Sequence, residues 1–553
     1  MKPSVAWNVI LLGVALVLGA CSPSGPQVGS QTNWLRACDS TDECGGLECI
    51  CGVCTLPCAE LACGELPDSA CVASTETGAI AVCGGSAPPS GLCLPRCDEE
   101  SCPAGTSCLA GVCAPTGTPS ARVTLDLSAR HQTLVGLGAS LAYSDDVIAD
   151  HAQREALYDL VFRDGGFDAL RFRNRYETDD DDLSATAEII EAATERLGRR
   201  PFLFMSSATP PAALKANASR VCEGGDAACT LSTVDDGGFD YAGFANYWRS
   251  AFEAYAALGI VPDYFSIQNH PNLVYAEEHR GEACRFLPEE GTASVTIDGE
   301  PTDVDYPGYR EALEAVTSSI ADLEEVPRAA VAETTGLVTV GEYVPPLDPT
   351  TFQAIAFHMY GVDTTTPNVE ALENVRALSE ELGIPAFQTE IQAEGFETAV
   401  LAHHAFASAG GSLYLQNDLV TTSLDAPPLS LVLLRDEGVQ PQDPFHALAH
   451  YAKGTDPGWV RIDAEGDSSQ LLSSAWLAPE EDALTVILIN VGSDELRVEV
   501  ALPEDVRAAY PQTQVTRTGF DGLERQVSLG ELPANGVVHL PTRAIVTLQL
   551  TAP

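Results

Sequence analysis

Positive charge is scarce in this sequence. Its 553 residues hold 29 lysines and arginines against 79 aspartates and glutamates, a formal net charge of −50. Only three of the basic residues are lysine: Lys2, Lys215 and Lys453. Such a charge balance repels phosphate backbones and anionic headgroups, which argues against nucleic acid as a partner and favours solubility. Beyond the first twenty or so residues no run is long and apolar enough to span a bilayer. Tryptophan is sparse as well, with five in the chain and Trp248 the only one between residues 134 and 450. Cysteine almost disappears after Cys113, where only Cys222, Cys229 and Cys284 remain of 18.

What is present falls into regions. The opening "MKPSVAWNVILLGVALVLGAC" has one lysine before an apolar run that ends in small residues, the pattern of a secretion signal. Leu18-Gly19-Ala20-Cys21 resembles a bacterial lipobox, in which Cys21 is acylated and becomes the mature N-terminus. Ser22 follows rather than aspartate, so the expected location is exported and lipid-anchored, at the outer membrane or cell surface. Residues 1–20 read as the signal and 21–37 as a flexible leader. Residues 38–113 hold 14 cysteines with little strand or helix periodicity, an exported disulfide-stapled module. Cys51-Gly52-Val53-Cys54 has zinc-ligand spacing, but export and cysteine density favour disulfides. Residues 114–121, "APTGTPSA", read as a linker.

From Leu134 to Val420 apolar β-rich runs alternate with helical patterns, which argues for a parallel sheet with helices outside. Eight runs begin at Leu134, Ala169, Pro201, Tyr264, Arg328, Ala354, Pro385 and Gly411. Eight strand–helix units suggest a (β/α)8 barrel, assigned to residues 134–450. In "YAGFANYWRSAFEAYAALG", Tyr241, Phe244, Trp248, Phe252 and Tyr255 share one apolar helix face. From Trp459 onward the period changes to two, as in the antiparallel strands of a β-sandwich (residues 451–553). Residues 122–133 have the same period and are expected to add a strand to it.

Chemistry in such barrels gathers where strands end. Polar residues stand at six of the eight ends: Arg171, Arg173 and Asn174; Gln268, Asn269 and His270; Glu333; His358 and Tyr360; Thr389 and Glu390; Tyr414, Gln416, Asn417 and Asp418. Several of these segments, in order, resemble glycoside hydrolase family 30, within the large retaining clan of (β/α)8 glycosidases. "VTLDLSARHQTLVGLGASL" resembles that family's opening, "ALRFRNRY" its Leu-Arg-x-Arg-Asn strand, and "TPPAALKAN" its Pro-Pro-Ala-Trp-Met-Lys loop. "SIQNHPN" stands for Gln-Asn-Glu-Pro-Asn, "IAFHMYG" for Ala-x-His-x-Tyr-Gly, and "PAFQTEI" for the Trp-x-Thr-Glu strand.

The resemblance implies a carbohydrate ligand, no cofactor and no metal, and retaining cleavage of a β-linked glycan by two carboxyl groups about 5–5.5 Å apart. It makes Glu390 the nucleophile and Arg171 the cation that keeps it ionised. Asn269 becomes the partner of the sugar 2-hydroxyl, and His358 and Tyr360 line the nucleophile side. At the acid/base position it puts His270 where the family has glutamate. A nearby ionised Glu390 is expected to raise the His270 pKa, so the imidazole is a weak substitute acid. The alternative is a histidine that only hydrogen-bonds within its loop, in a catalytically inactive carbohydrate-binding or cell-surface protein. The family's sugar-stacking tryptophans are replaced by Ala208, Ala213, Met359 and Asn417. Glu277 and Glu278, on the long loop after strand four, are further candidate acids. A metal-dependent hydrolase has weaker support, since His270 and His358 lack an obvious third ligand in sequence.

Overall fold

In the computed structural model the described residues run from 119 to 553, except 142, 178–181, 225–226, 236, 274–279, 298–299, 365–367 and 534–535. Before residue 119 they comprise 38, 41–45, 47–51, 53–58, 63, 69–73, 90–96, 106–109 and 112–115. The signal segment, Cys21, Glu277 and Glu278 therefore lie outside the described residues. Among the described residues no helix is long and apolar enough to cross a membrane.

The chain forms two compact units, one ending at Pro115 and one running from Thr116 to Pro553. The first is built of short antiparallel pairs, such as Glu48–Ile50 with Val53–Thr55 and Ser69–Val72 with Gly91–Pro95. Its apolar core is small, centred on Ile50, Val53, Val72, Leu92, Leu94 and Val112. A core of that size needs covalent help. Cys38–Cys49, Cys44–Cys54, Cys58–Cys71 and Cys63–Cys93 supply it. Cys51 is disulfide-bonded too, so the Cys51/Cys54 spacing is not a zinc site here.

The second unit contains the barrel. Its strands are β1 (Gly136–Ser140), β2 (Ala169–Arg173), β3 (Phe202–Ser206), β4 (Tyr264–Ser266), β5 (Arg328–Ala332), β6 (Ala354–His358), β7 (Ala386–Glu390) and β8 (Gly411–Gln416). They pair in parallel and in sequence order, and β8 closes on β1. The expected eight-stranded parallel barrel is what forms. Inward-facing Ala169, Phe204, Tyr264, Ala330, Ala354, Ala356, Phe387, Leu413 and Leu415 fill its interior with alternating small and large side chains. Gly138 is fixed by closure: a Cβ there would sit 1.6 Å from the Ala169 carbonyl oxygen on the neighbouring strand. Helix α1 (Tyr241–Ala256) begins at Asp240, whose carboxylate accepts from the Gly243 amide at 2.8 Å. It buries Phe244, Trp248, Phe252 and Tyr255 against the strands. Trp248 is therefore a core residue, as its place on the apolar face implies.

Apart from small two- and three-stranded sheets in the loops, the other strands of this unit form one nine-stranded sheet that curls around its own apolar core, a sandwich-like side layer. Ala121–Thr133 joins it, antiparallel to Val460–Gly466 and parallel to Leu496–Ala501. Period-two alternation divides the strands between two cores. Val486 and Leu488 face the sheet's own interior, while Ile487 and Ile489 pack into the barrel core with Trp476 and Ile545. His450, on helix α2 (Asp443–Ala452), bridges the layers with Nδ1 2.8 Å from Thr547 Oγ1 and Nε2 2.9 Å from Thr518 Oγ1.

Candidate active site

The polar residues at the strand ends stand one layer above the apolar plug. Two residues along a strand return to the same face. Arg171 thus rises above Ala169, Ser206 above Phe204, His358 above Ala356 and Thr389 above Phe387. They meet around Glu333, which follows β5 and is fully buried. Arg171 donates from Nε and Nη2 to Glu333 Oε1 at 3.2 and 3.0 Å. Thr389 Oγ1 donates to the same oxygen at 3.0 Å, and Ser206 Oγ donates to Oε2 at 2.5 Å. Burial would raise this carboxyl, but Arg171 and the surrounding donors outweigh it and hold the group well below the usual carboxylate range.

Glu390, at the end of β7, shares that arginine. Arg171 Nη1 lies 3.0 Å from Glu390 Oε2, and Asn269 Nδ2 donates to the same oxygen at 3.3 Å. Tyr360 Oη donates to Oε1 at 2.9 Å. Burial pushes the Glu390 carboxyl up, yet Arg171 and then the two imidazoles bring it down to about 2. Glu390 is consequently an ionised, clamped carboxylate at neutral pH.

His270 follows β4, with its backbone in the left-handed region at φ 50°. Its amide donates to the Glu333 carbonyl at 3.0 Å and its own carbonyl accepts from Leu273 at 2.9 Å, so the conformation is held at both ends. The ring is placed 2.7 Å (Nε2) from His358 Nδ1 and 3.6 Å from Glu390 Oε1. The proton order follows from the fixed acceptor. Thr389 spends its one hydroxyl proton on Glu333, so at 3.1 Å it accepts from His358 Nε2. With Nε2 as the donor, the other ring nitrogen, Nδ1, faces His270 Nε2, and in that tautomer His270 Nε2–H donates to it. Burial lowers the His270 pKa to about 4, outweighing the opposite pull of Glu390. Glu390 pulls upward as expected, but the net direction is the reverse, because desolvation of the cation is the larger effect.

The structure brings all six predicted barrel-site residues together: Glu390, His270, Asn269, Arg171, His358 and Tyr360. It adds three whose part was not assigned from sequence. Glu333 anchors the arginine and Thr389 orients His358. Asp418, at the end of β8, has its carboxyl pushed up to about 7 by burial and then by Glu390. The two histidines have no third ligand at close spacing in the sequence, but in space a Glu390 oxygen lies within 4.8 Å of a nitrogen of each ring. Of the former tryptophan positions, Met359 is buried. An aromatic surface does exist nearby. Tyr143, after β1, is 62% exposed, with the Arg173 guanidinium 4.2 Å over its ring and its hydroxyl donating to Glu282 at 3.1 Å. Away from this cluster, Cys222 and Cys229 are disulfide-bonded and Cys284 is free and buried.

No protein-family model matches the sequence, and no curated protein matches it either. Solved structures do. The family 30 subfamily 8 xylanase of Clostridium acetobutylicum superposes with a TM-score of 0.58 at 18% identity, covering 78% of this chain and 100% of that one. The catalytic domain of family 30 xylanase C from Talaromyces cellulolyticus gives 0.59 at 16%, again over 78% and 100%. An endo-β1,6-glucanase gives 0.54 at 14%, over 79% of this chain and 96% of its own. The barrel and its side sheet therefore have a family 30-like glycosidase fold.

Proposed function

We propose that the barrel mouth is a carbohydrate site and that Glu390 is the nucleophile of a retaining β-glycosidase reaction. One observation carries the reading: a buried carboxylate at the end of β7, kept ionised by Arg171 at 3.0 Å and aimed by Tyr360 and Asn269. An anionic oxygen free of a proton is what attack on an anomeric carbon requires, and the arginine prevents its protonation. The names of the structural neighbours, xylanases and a β1,6-glucanase, support a β-linked glycan as ligand class.

The acid/base part of the machinery is impaired. His270 stands at the acid/base position, but its Nε2–H is donated to His358 and not to a leaving group. Using it as the acid requires breaking that bond and protonating a buried ring. Loss of positioned acid help costs about 10²–10⁴-fold, and the loss is greatest for leaving groups that need a proton. Substrates with good leaving groups are then cleaved, and natural glycans are held with slow turnover. The same hydrogen bond favours a second reading, binding without turnover, in which the site is a glycan receptor on a glycosidase fold. Export and acylation at Cys21 complete the proposal, supported by the oxidised cysteines of the first unit.

Aryl glycosides with leaving groups of graded acidity separate the two readings. A rate that falls steeply with leaving-group pKa, disappears in Glu390→Ala and flattens with a gain in His270→Glu supports hydrolysis. Polysaccharide binding by a protein inert on every aryl glycoside, with His270→Glu inert as well, leaves only the receptor.

A further inference from the structure

The replacement at position 270 does more than remove an acid. It exchanges a hard oxygen group for an imidazole nitrogen beside a second imidazole and a carboxylate. We propose that His270, His358 and Glu390 form a three-ligand site for a divalent transition-metal ion of the zinc class, with the fourth position open toward the barrel mouth.

The geometry is close to that needed. One atom from each residue lies within 4.8 Å of the others. His270 Nε2 stands 2.7 Å from His358 Nδ1 and 3.6 Å from Glu390 Oε1. Nitrogen and oxygen ligands about 2.0–2.2 Å from a tetrahedral zinc ion stand roughly 3.3–3.5 Å from one another. These two separations bracket that range and the third, His358 to Glu390, lies within 4.8 Å, so opening the histidine pair and drawing the Glu390 carboxylate toward His358 admits an ion. Protons balance without a reagent. In the tautomer where His270 donates, its proton moves from Nε2 to Nδ1, and the ion takes the place of the hydrogen that joined the two rings.

The surroundings match what metal sites need beyond their ligands. A ligating histidine usually gives its other N–H to a fixed acceptor, which sets its tautomer. His358 Nε2 does so toward Thr389 Oγ1 at 3.1 Å, with Glu333 Oε1 at 3.5 Å behind it, leaving Nδ1 as the lone pair facing the site. Glu390 divides its oxygens: Oε2 faces Arg171 and Asn269, while Oε1 accepts from Tyr360 at 2.9 Å and stands 3.6 Å from His270 Nε2, one lone pair remaining for an ion. Two carboxylates, Glu333 and Glu390, outnumber the one guanidinium, so a dication is not repelled overall. Two imidazoles with one carboxylate select zinc, cobalt, nickel or copper over magnesium and calcium, which prefer all-oxygen ligands. Three protein ligands with an open fourth position describe a site that accepts water or a sugar hydroxyl. On the glycosidase reading an ion there occupies Glu390 Oε1 and inhibits attack. The binding itself does not depend on that reading.

The test uses the full-length protein stripped with a chelator and titrated with Zn²⁺ by calorimetry and Co²⁺ by visible absorption. Calcium in excess saturates the acidic surface. The proposal expects one strong equivalent and a tetrahedral Co²⁺ spectrum. In His270→Asn, a residue that tolerates the left-handed backbone, affinity falls at least about 100-fold. In Thr389→Val it falls about 10–100-fold, with recovery in Thr389→Ser. Zn²⁺ raises the melting temperature of the parent and not of His270→Asn, a readout that holds for any variant that folds. Absence of a stoichiometric site in calcium, or unchanged affinity in His270→Asn, overturns the proposal. A protein inert on aryl glycosides that still gives the Co²⁺ spectrum removes the glycosidase reading and leaves the metal site standing.

Discussion

Replacing Arg171 with methionine tests the electrostatic centre of the site. Arg171 is 3% exposed and its guanidinium serves two buried carboxylates, Glu333 and Glu390, both at 3.0 Å. Methionine keeps much of the volume and removes the charge. Two carboxylates then face each other's field without a cation, and breaking a buried pair from one side costs about 3–5 kcal/mol. The pH dependence identifies the cause. In the parent both carboxyls titrate below their unfolded values, so their contribution is present above about pH 4 and is lost as the pH falls toward 2. In the variant the hydroxyl and amide donors remain but the cation is gone, so both carboxyls titrate higher than in the parent. The deficit is therefore largest at neutral pH and shrinks as acid neutralises them. Urea unfolding followed by tryptophan fluorescence at several pH values measures it. Adding Glu333→Gln removes one orphaned charge and returns about half of the loss. A deficit under about 1 kcal/mol, one that does not change with pH, or a double variant whose losses simply add would refute the reasoning.

The buried histidines make the second unit acid-labile. Burial lowers His450 to about 3 and His404 to about 4, so their stabilisation is complete above about pH 6.5. Each then costs about 1.4 kcal/mol per pH unit as the pH falls below that value, and His450→Gln lowers the slope of unfolding free energy against pH by about one proton. Tyr143→Ala removes the exposed aromatic face and weakens polysaccharide affinity by about 1 kcal/mol, roughly fivefold, as read by affinity electrophoresis; an unchanged affinity excludes Tyr143 as a sugar platform. Asp418, whose carboxyl burial and then Glu390 push up to about 7, is the group to test as a partial substitute donor in place of the missing acid. Asp418→Asn therefore slows poor leaving groups about tenfold more than good ones, and an equal effect on both shows that it gives no proton.

Much of the fold was legible because each barrel strand is a local apolar run bounded by turn residues. The side sheet was legible from period two, including its strand from the far side of the barrel, Ala121–Thr133. The polar ends could be named from the same runs, and so could the six residues that meet at the mouth. What could not be read was how these residues use one another. Glu333 sits just past its strand, and its partners Arg171, Ser206 and Thr389 come from three other strands that converge only on closure. The direction of the His270 pKa shift depends on burial, which adjacency to Glu390 in a motif does not reveal. That one donor atom each from His270, His358 and Glu390 comes within 4.8 Å of the others shows only once the strands close into the barrel. Tyr143 was missed because the search for a platform looked for tryptophan at the family's positions.

The central claim is that Glu390 is a working nucleophile without a matched acid. Dinitrophenyl 2-deoxy-2-fluoro-β-glycosides test it most directly, because their leaving group needs no proton and the fluorine slows breakdown of the covalent intermediate. A panel of glucoside, xyloside and galactoside probes, followed by peptide mass spectrometry, is expected to give one adduct mass on the peptide holding Glu390. Glu390→Gln should give none. An adduct on another residue, or no adduct from any probe in either the parent or His270→Glu, would contradict the account.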